Sequence, residues 1–185
     1  IIDGRVANSE RFEFFRDIVE RLTMAHCMGL GSDRWRRFYY RPPRGWDGLA
    51  VELYSFGDLD TVVQSPDHVI AVHLAGAVTL RRTLGSRTRT RKMTSGDITI
   101  TPVGPRVRWQ QTSPSLVILL RLAPEYVRQM AGDECAMDPD RFEIHNVFGS
   151  RDAVIESLGR HLLGGLELEG VDSHLYVDTL TCELA

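Results

Sequence analysis

The sequence predicts a mainly β fold with flanking helices, and the spacing of its apolar residues gives the reason. Between Leu49 and Leu122, short runs rich in Val, Ile, Thr and Leu follow one another closely, separated by Gly, Pro, Asp and Ser. Turn signals recurring about every 8 to 12 residues mark an all-β sandwich or barrel rather than a parallel sheet alternating with helices. Before and after that stretch the apolar residues recur at three- and four-residue spacing, the period of an amphipathic helix. At 185 residues, 43% hydrophobic and 25% charged, the chain suits one well-packed domain with an appended subdomain.

The elements follow in order. From Glu10 to Met28, Phe12, Phe15, Ile18, Val19, Leu22 and Ala25 form one stripe, with Ser9 as N-cap and Gly29 to Gly31 as the stop. Asp33 to Gly48, DRWRRFYYRPPRGWDG, mixes arginines and aromatics with prolines and glycines and reads as a loop or extended arm. Its arginines are expected to cover aromatic surface at a domain edge, base stacking being the alternative. The strand runs are LAVELYSF, LDTVVQ, HVIAVHLAG, VTLRRTLG, RTRTRKM, DITITP, RVRWQQ and SLVILLRL. At Ala123 the texture reverts to helix: PEYVRQMAG carries Pro124 at its first position, where a missing N–H costs nothing. A polar linker containing MDPD leads to a helix from about Asp152 to Leu166, an acidic loop and a last helix capped by Ser173. Val154, Ile155, Leu158 and Leu162 make one apolar stripe, and Leu175, Tyr176, Leu180 and Leu184 another; such helices pack back on the barrel or form a dimer seam. The predicted organisation is an N-terminal helix and arm over 1–48, a β-barrel over 49–122 and a helical subdomain over 123–185.

Composition removes several classes of function. Cys27, Cys135 and Cys182 are odd in number and far apart, which fits neither a disulfide framework nor a zinc knuckle and points to a reducing cytoplasm. A net charge of −3 supplies no global attraction to nucleic acid. No apolar run approaches the roughly 20 residues that cross a bilayer, so no membrane partner is expected. The chain begins at Ile1 and ends inside a predicted helix, so it is expected to belong to something longer. Nucleophile elbow, zinc-protease and phosphate-loop patterns are absent, and His145, His161 and His174 stand isolated, so no catalytic residue is assigned and no enzyme is expected. The run from Arg81 to Lys92 holds Arg81, Arg82, Arg87, Arg89, Arg91 and Lys92 with no acid; it reads as a charged, solvated hairpin face. A sharper reading docks it on acids such as Asp152, Glu156, Glu167, Glu169 and Asp172 or on a partner's acidic surface.

The informative stretch is SGDITITPVGPRVRW, residues 95 to 109. From Gly96 it runs Gly, five residues, Pro102, one residue, Gly104, two residues, Val107, three residues, Gln111. This resembles the second conserved motif of the cupin superfamily, Gly-x5-Pro-x-Gly-x2-His-x3-Asn, with valine where the ligating histidine would stand. The first motif, His-x-His-x3-Glu-x6-Gly, laid back from Gly76, puts its ligand positions on Val63, Ser65 and Val69. Neither an imidazole nor a carboxylate is left for a metal, so no metal and no cofactor is expected.

The order SPDHVIAVHLAGAVTLRR, LGSRTRTRKMTSGD, GDITITPVGPRVRW, SLVILLRLAPEYV, ending in SHLYVDTLTCELA, resembles the N-terminal sensing domain of AraC-family transcription regulators over Leu49 to Ala185. The resemblance implies a cupin-like jelly-roll barrel that binds a small organic effector, followed by two or three C-terminal helices that form a homodimer. It also implies that DNA is bound only through a separate domain, absent from this chain. The runner-up is a metal-independent cupin enzyme of the sugar isomerase or epimerase type, with His73 or another barrel histidine as acid or base.

Strand alternation then gives a pocket. If the cupin ligand positions point inward, Val69, Ala71 and His73 line one strand and Val107 and Trp109 another, while His68 points outward. This interior suits a ligand held by apolar contact and a few directed hydrogen bonds. His73 is either a pocket polar group or a core histidine with a satisfied ring. Trp109 either stacks on the ligand or plugs one end of the barrel.

Overall fold

The computed structural model describes residues 35–41, 48–133 and 142–165. Strands β1 (Trp35–Arg41) and β2 (Leu49–Phe56) are followed by β3 (Leu59–Val63), β4 (His68–Ala75), β5 (Val78–Leu84) and β6 (Arg87–Met93). Then come β7 (Asp97–Thr101), β8 (Val107–Gln111), β9 (Ser115–Leu122), helix α1 (Pro124–Asp133), β10 (Val147–Arg151) and helix α2 (Ala153–Gly165). The strands form a six-stranded sheet of order β1-β2-β9-β4-β7-β10 and a four-stranded sheet of order β3-β8-β5-β6. Every described pairing is antiparallel. Within these, β2-β9-β4-β7 facing β3-β8-β5-β6 is the interleaved strand order of a double-sheet jelly roll, the architecture of cupins. The mainly β fold with helices is therefore as the sequence predicts.

Alternation along the strands sorts the side chains between two environments. On β9, Leu116, Ile118, Leu120 and Leu122 are buried on one face, while Val117, Leu119 and Arg121 turn to the other. The register carries that division across the sheet: Val51 pairs with Leu120, Leu53 with Ile118, Ile70 with Leu120 and Val72 with Ile118. These apolar residues, with Ile98 of β7, form the main core on the outer face of the six-stranded sheet. Val127 of α1 and Leu158 of α2 cover it. Asp152 caps α2, its Oδ1 accepting from the backbone N–H of Val154 at 2.9 Å and of Ile155 at 3.1 Å. At Gly159 a side chain would meet Val72 Cγ2 at 3.3 Å, so a bare backbone lets α2 lie close on β4. A second cluster of Val78, Leu80, Met93 and Phe148, with Trp109 against it, joins β10 to the smaller sheet.

Two elements differ from the sequence reading. The arginine-aromatic arm contributes β1, paired along β2 from Trp35↔Phe56 to Arg41↔Val51 with a bulge between Arg37 and Tyr39. Tryptophan, phenylalanine and tyrosine favour a pleated edge, and this outweighs the nearby prolines. Val147–Arg151 is strand β10, inside the segment read as helical; it is short, and its register breaks at Gly149, so no alternation marks it. The barrel thus draws strands from both flanking segments. The predicted helices over 10–28 and 173–185 lie outside the described residues, as do Cys27, Cys135 and Cys182. Among the described residues no helix is long and apolar enough to cross a membrane.

Candidate functional site

The inward-turned residues of the two sheets do not meet but enclose a cavity of about 290 Å3. Register fixes its wall in layers. In the larger sheet, Val69 pairs with Thr101 and Arg121, Ala71 with Thr99 and Leu119, and His73 with Val117. In the smaller, Val63 pairs with Val107, Thr61 with Trp109 and Leu59 with Gln111. All these residues line the cavity, and Tyr54, Phe56, Ser65, Leu80 and Pro105 complete it. Val69, Ala71, His73, Val107 and Trp109, assigned inward from sequence, therefore share one space. His68 turns away, and its Nδ1 accepts from the Val103 N–H at 3.2 Å.

Gly96 and Gly104, the turn glycines of the motif, sit at φ of 84° and 109°, the left-handed region that glycine enters without strain. They bracket β7 and deliver Val107 to the cavity wall, where it is 2% exposed. Val63, Ser65 and Val69 line the same space. At the positions where the resemblance places metal ligands, the cavity thus offers one hydroxyl and hydrocarbon. Among the described residues, His73 is the imidazole of the wall, and no carboxylate or thiol lines it. Among the described residues no three His, Cys, Asp or Glu side chains gather closely enough to hold a metal. This donor set does not fit a transition metal.

The polar groups lie toward the two ends. At one, Arg121 Nε donates to Glu52 Oε2 at 2.8 Å and its Nη1 to Ser65 Oγ at 3.2 Å. The Glu52 hydrogen bond and charge hold the Arg121 guanidinium above its ordinary range against the opposing effect of burial, the largest influence on it. At the other, Gln111, standing where the motif has asparagine, donates through Nε2 to Gly57 O at 3.2 Å, Ser113 O at 3.0 Å and Ser115 Oγ at 3.1 Å. That amide ties three loop and strand groups together and leaves Gln111 structural as well as cavity-lining.

His73 is 3% exposed, and its Nδ1 meets no hydrogen-bond partner among the described residues; Thr99 Oγ1 is in the same condition. Burial pushes the His73 pKa down to about 4, against a smaller opposing pull from Asp97. The ring is neutral at neutral pH. Of the readings left open above, the core histidine with a satisfied ring is the one the geometry does not match.

Trp109 lines the cavity on one side and tilts against Phe148 on the other, ring centroids 6.2 Å apart. Arg82 stands over both, 4.5 Å from the Phe148 centroid and 5.9 Å from that of Trp109. Its Nη1 donates to Asn146 Oδ1 at 2.7 Å and Val147 O at 3.3 Å. The basic hairpin is thus not a uniformly solvated face: Arg82 is 5% exposed, because its position on β5 shares the inward parity of Val78 and Leu80. Burial and then the charge of Arg89 lower its pKa.

Arg121 and Thr99 were not among the residues singled out in the sequence. Arg121 had a signal, a lone cation in SLVILLRL two residues from Leu119 and four from Val117. Thr99 had only its parity with Thr101, which any strand threonine shares.

No family model and no curated protein sequence matches the chain. Solved structures do. The EutQ protein of Clostridium difficile is similar at 14% identity and a TM-score of 0.41, over 51% of this chain and 72% of that one. DMSP lyase DddQ of Ruegeria pomeroyi is similar at 22% identity and a TM-score of 0.41, over 51% of each chain. Vicilin of hazelnut, Corylus avellana, is similar at 11% identity and a TM-score of 0.37, over 45% of this chain and 25% of that one. The jelly-roll architecture itself rests on strand order and alternation.

Proposed function

We propose that this chain binds a small organic effector in its barrel and serves as the sensing and dimerisation domain of a bacterial AraC-type transcription regulator. The observation that carries this reading is the wall itself: Val63, Val69 and Val107 take the places of metal ligands around a cavity of about 290 Å3. A space of this kind, apolar with a few convergent polar groups, suits binding of a small molecule. Binding without turnover is part of the proposal. With its pKa at about 4, His73 is a poor general acid or base near neutrality, and no carboxylate in the wall partners it.

Self-association is assigned to the helical segment after the barrel. Ile155 and Leu158 of α2 pack on the larger sheet, so that part of the predicted stripe is used within the chain, while Val154 stays 57% exposed. The seam is therefore assigned to Val154 and the segment beyond α2, and DNA contact to a separate domain.

The test is a thermal-shift screen of sugars, aromatic acids and alcohols, followed by mass spectrometry of the recovered compound. A stabilising ligand returned unchanged is the expected result. Chemical conversion of the compound by the protein would replace sensing with catalysis. Sedimentation at rising concentration tests the dimer, for which a persistent monomer is the contrary result.

A further inference from the structure

We propose that the cavity selects an uncharged, largely apolar molecule with one hydroxyl or carbonyl group, which hydrogen-bonds to His73 Nδ1 and Thr99 Oγ1 while its apolar part packs on Trp109. This rests on the reading of the cavity as a ligand site and adds the chemical class of the ligand.

His73 Nδ1 and Thr99 Oγ1 are buried side-chain polar atoms that meet no partner among the described residues, on residues 3% and 2% exposed. Leaving such atoms unpaired is costly; both residues line the cavity, and a rotation of either side chain brings its polar atom to an incoming group. The two residues are diagonal neighbours on adjacent strands. Ala71 pairs with Thr99, and His73 lies two residues further along the same face of β4, which sets the diagonal Cα separation at about 7 Å. A hydroxyl has the donor and the acceptor to serve both, donating to the ring nitrogen and accepting from the threonine. A carbonyl accepts from the threonine and from the other tautomer of the ring.

Charge argues against an ion. Arg121 is already matched by Glu52 at 2.8 Å, the His73 ring is neutral, and among the described residues no other charged side chain lines the cavity. A carboxylate or ammonium entering this space would leave water without a counter-charge, a loss larger than a hydrogen bond returns. Size sets the rest: about 290 Å3 is roughly ten times the volume that one water occupies in the liquid, so the ligand has about ten non-hydrogen atoms.

Calorimetric titration of the full chain with phenylmethanol, toluene and benzoate tests the class, in wild type and in Thr99→Val, His73→Phe and Ala71→Phe. Phenylmethanol is expected to bind at least about tenfold more tightly than toluene or benzoate. Thr99→Val, which keeps the shape of the side chain, is expected to cut the preference over toluene to about threefold or less, and His73→Phe to do the same. If His73→Phe fails to fold by circular dichroism, Thr99→Val carries the comparison. Ala71→Phe, which fills the cavity, is expected to abolish binding of all three. Tightest binding by benzoate, still blocked by Ala71→Phe, would overturn the class and leave the ligand site standing. Toluene binding as tightly as phenylmethanol, or a preference that survives in Thr99→Val, would also overturn the class. No binding by any of the three would overturn the class, while the ligand-site reading falls only if the thermal-shift screen also finds no stabilising compound.

Discussion

His73 on β4 stands diagonally from Thr99 on β7; both residues line the cavity, and each carries a buried polar atom without a hydrogen-bond partner among the described residues. Stability is surrendered at this pair. Replacing Thr99 by valine removes one orphaned hydroxyl at constant shape and is expected to raise the free energy of unfolding by about 1 kcal/mol, measured by urea denaturation. A loss of similar size would mean that the hydroxyl is satisfied in solution.

The His73 ring makes stability depend on pH. Its pKa is about 4 when folded, against an ordinary 6.5. Between those values the unfolded chain binds the proton and the folded one does not, so stability rises with pH across that window. Relative to neutral pH, roughly 3 kcal/mol is lost on acidification to pH 4. In His73→Phe this contribution to the slope is expected to vanish. Melting curves at pH 4, 5, 6 and 7 measure it, and identical slopes in the two proteins would contradict the burial of a neutral ring.

Glu52 and Arg121 form an ion pair in which the carboxylate side chain is 4% exposed and the guanidinium 26%. Arg121→Leu removes this charge-assisted hydrogen bond and is expected to cost about 2 kcal/mol. Adding Glu52→Gln should recover at least about 1 kcal/mol, since the charge is removed with its partner. Strictly additive losses in the double-mutant cycle would contradict the pairing.

Arg82 and Arg89 sit directly opposite each other across β5 and β6. Like charges in that position repel. Arg89→Glu is expected to raise stability by about 0.5 to 1 kcal/mol at low salt, with the gain shrinking at high salt. Chemical denaturation at two ionic strengths reads this directly.

These relationships show how far the sequence carries. Between Leu49 and Leu122 the strands were readable one by one, because short runs rich in Val, Ile, Thr and Leu are separated by Gly, Pro, Asp and Ser. The resemblance to the cupin motifs, laid on Gly76, Gly96 and Gly104, supplied the phase, and strand alternation from it put Val69, Ala71, His73, Val107 and Trp109 on one wall. Strand β10 was not readable, since its short run breaks at Gly149 and carries no period. Nor was the buried state of Arg82: inward parity was visible, but the partners that make burial tolerable, Asn146 and Val147, come from 64 and 65 residues away. The cavity within the barrel was also beyond reach, because it depends on the separation of two sheets rather than on either strand pattern.

The central claim is that the barrel holds a small organic molecule between Trp109 and the His73–Thr99 pair. Thermal melting with and without phenylmethanol, in wild type and in Ala71→Phe, tests it most directly. At a ligand concentration of about 100 times Kd the wild-type melting temperature is expected to rise by roughly 5 to 10 °C, and that of the filled variant not at all. An equal rise in both proteins would place the ligand outside the barrel and contradict the claim.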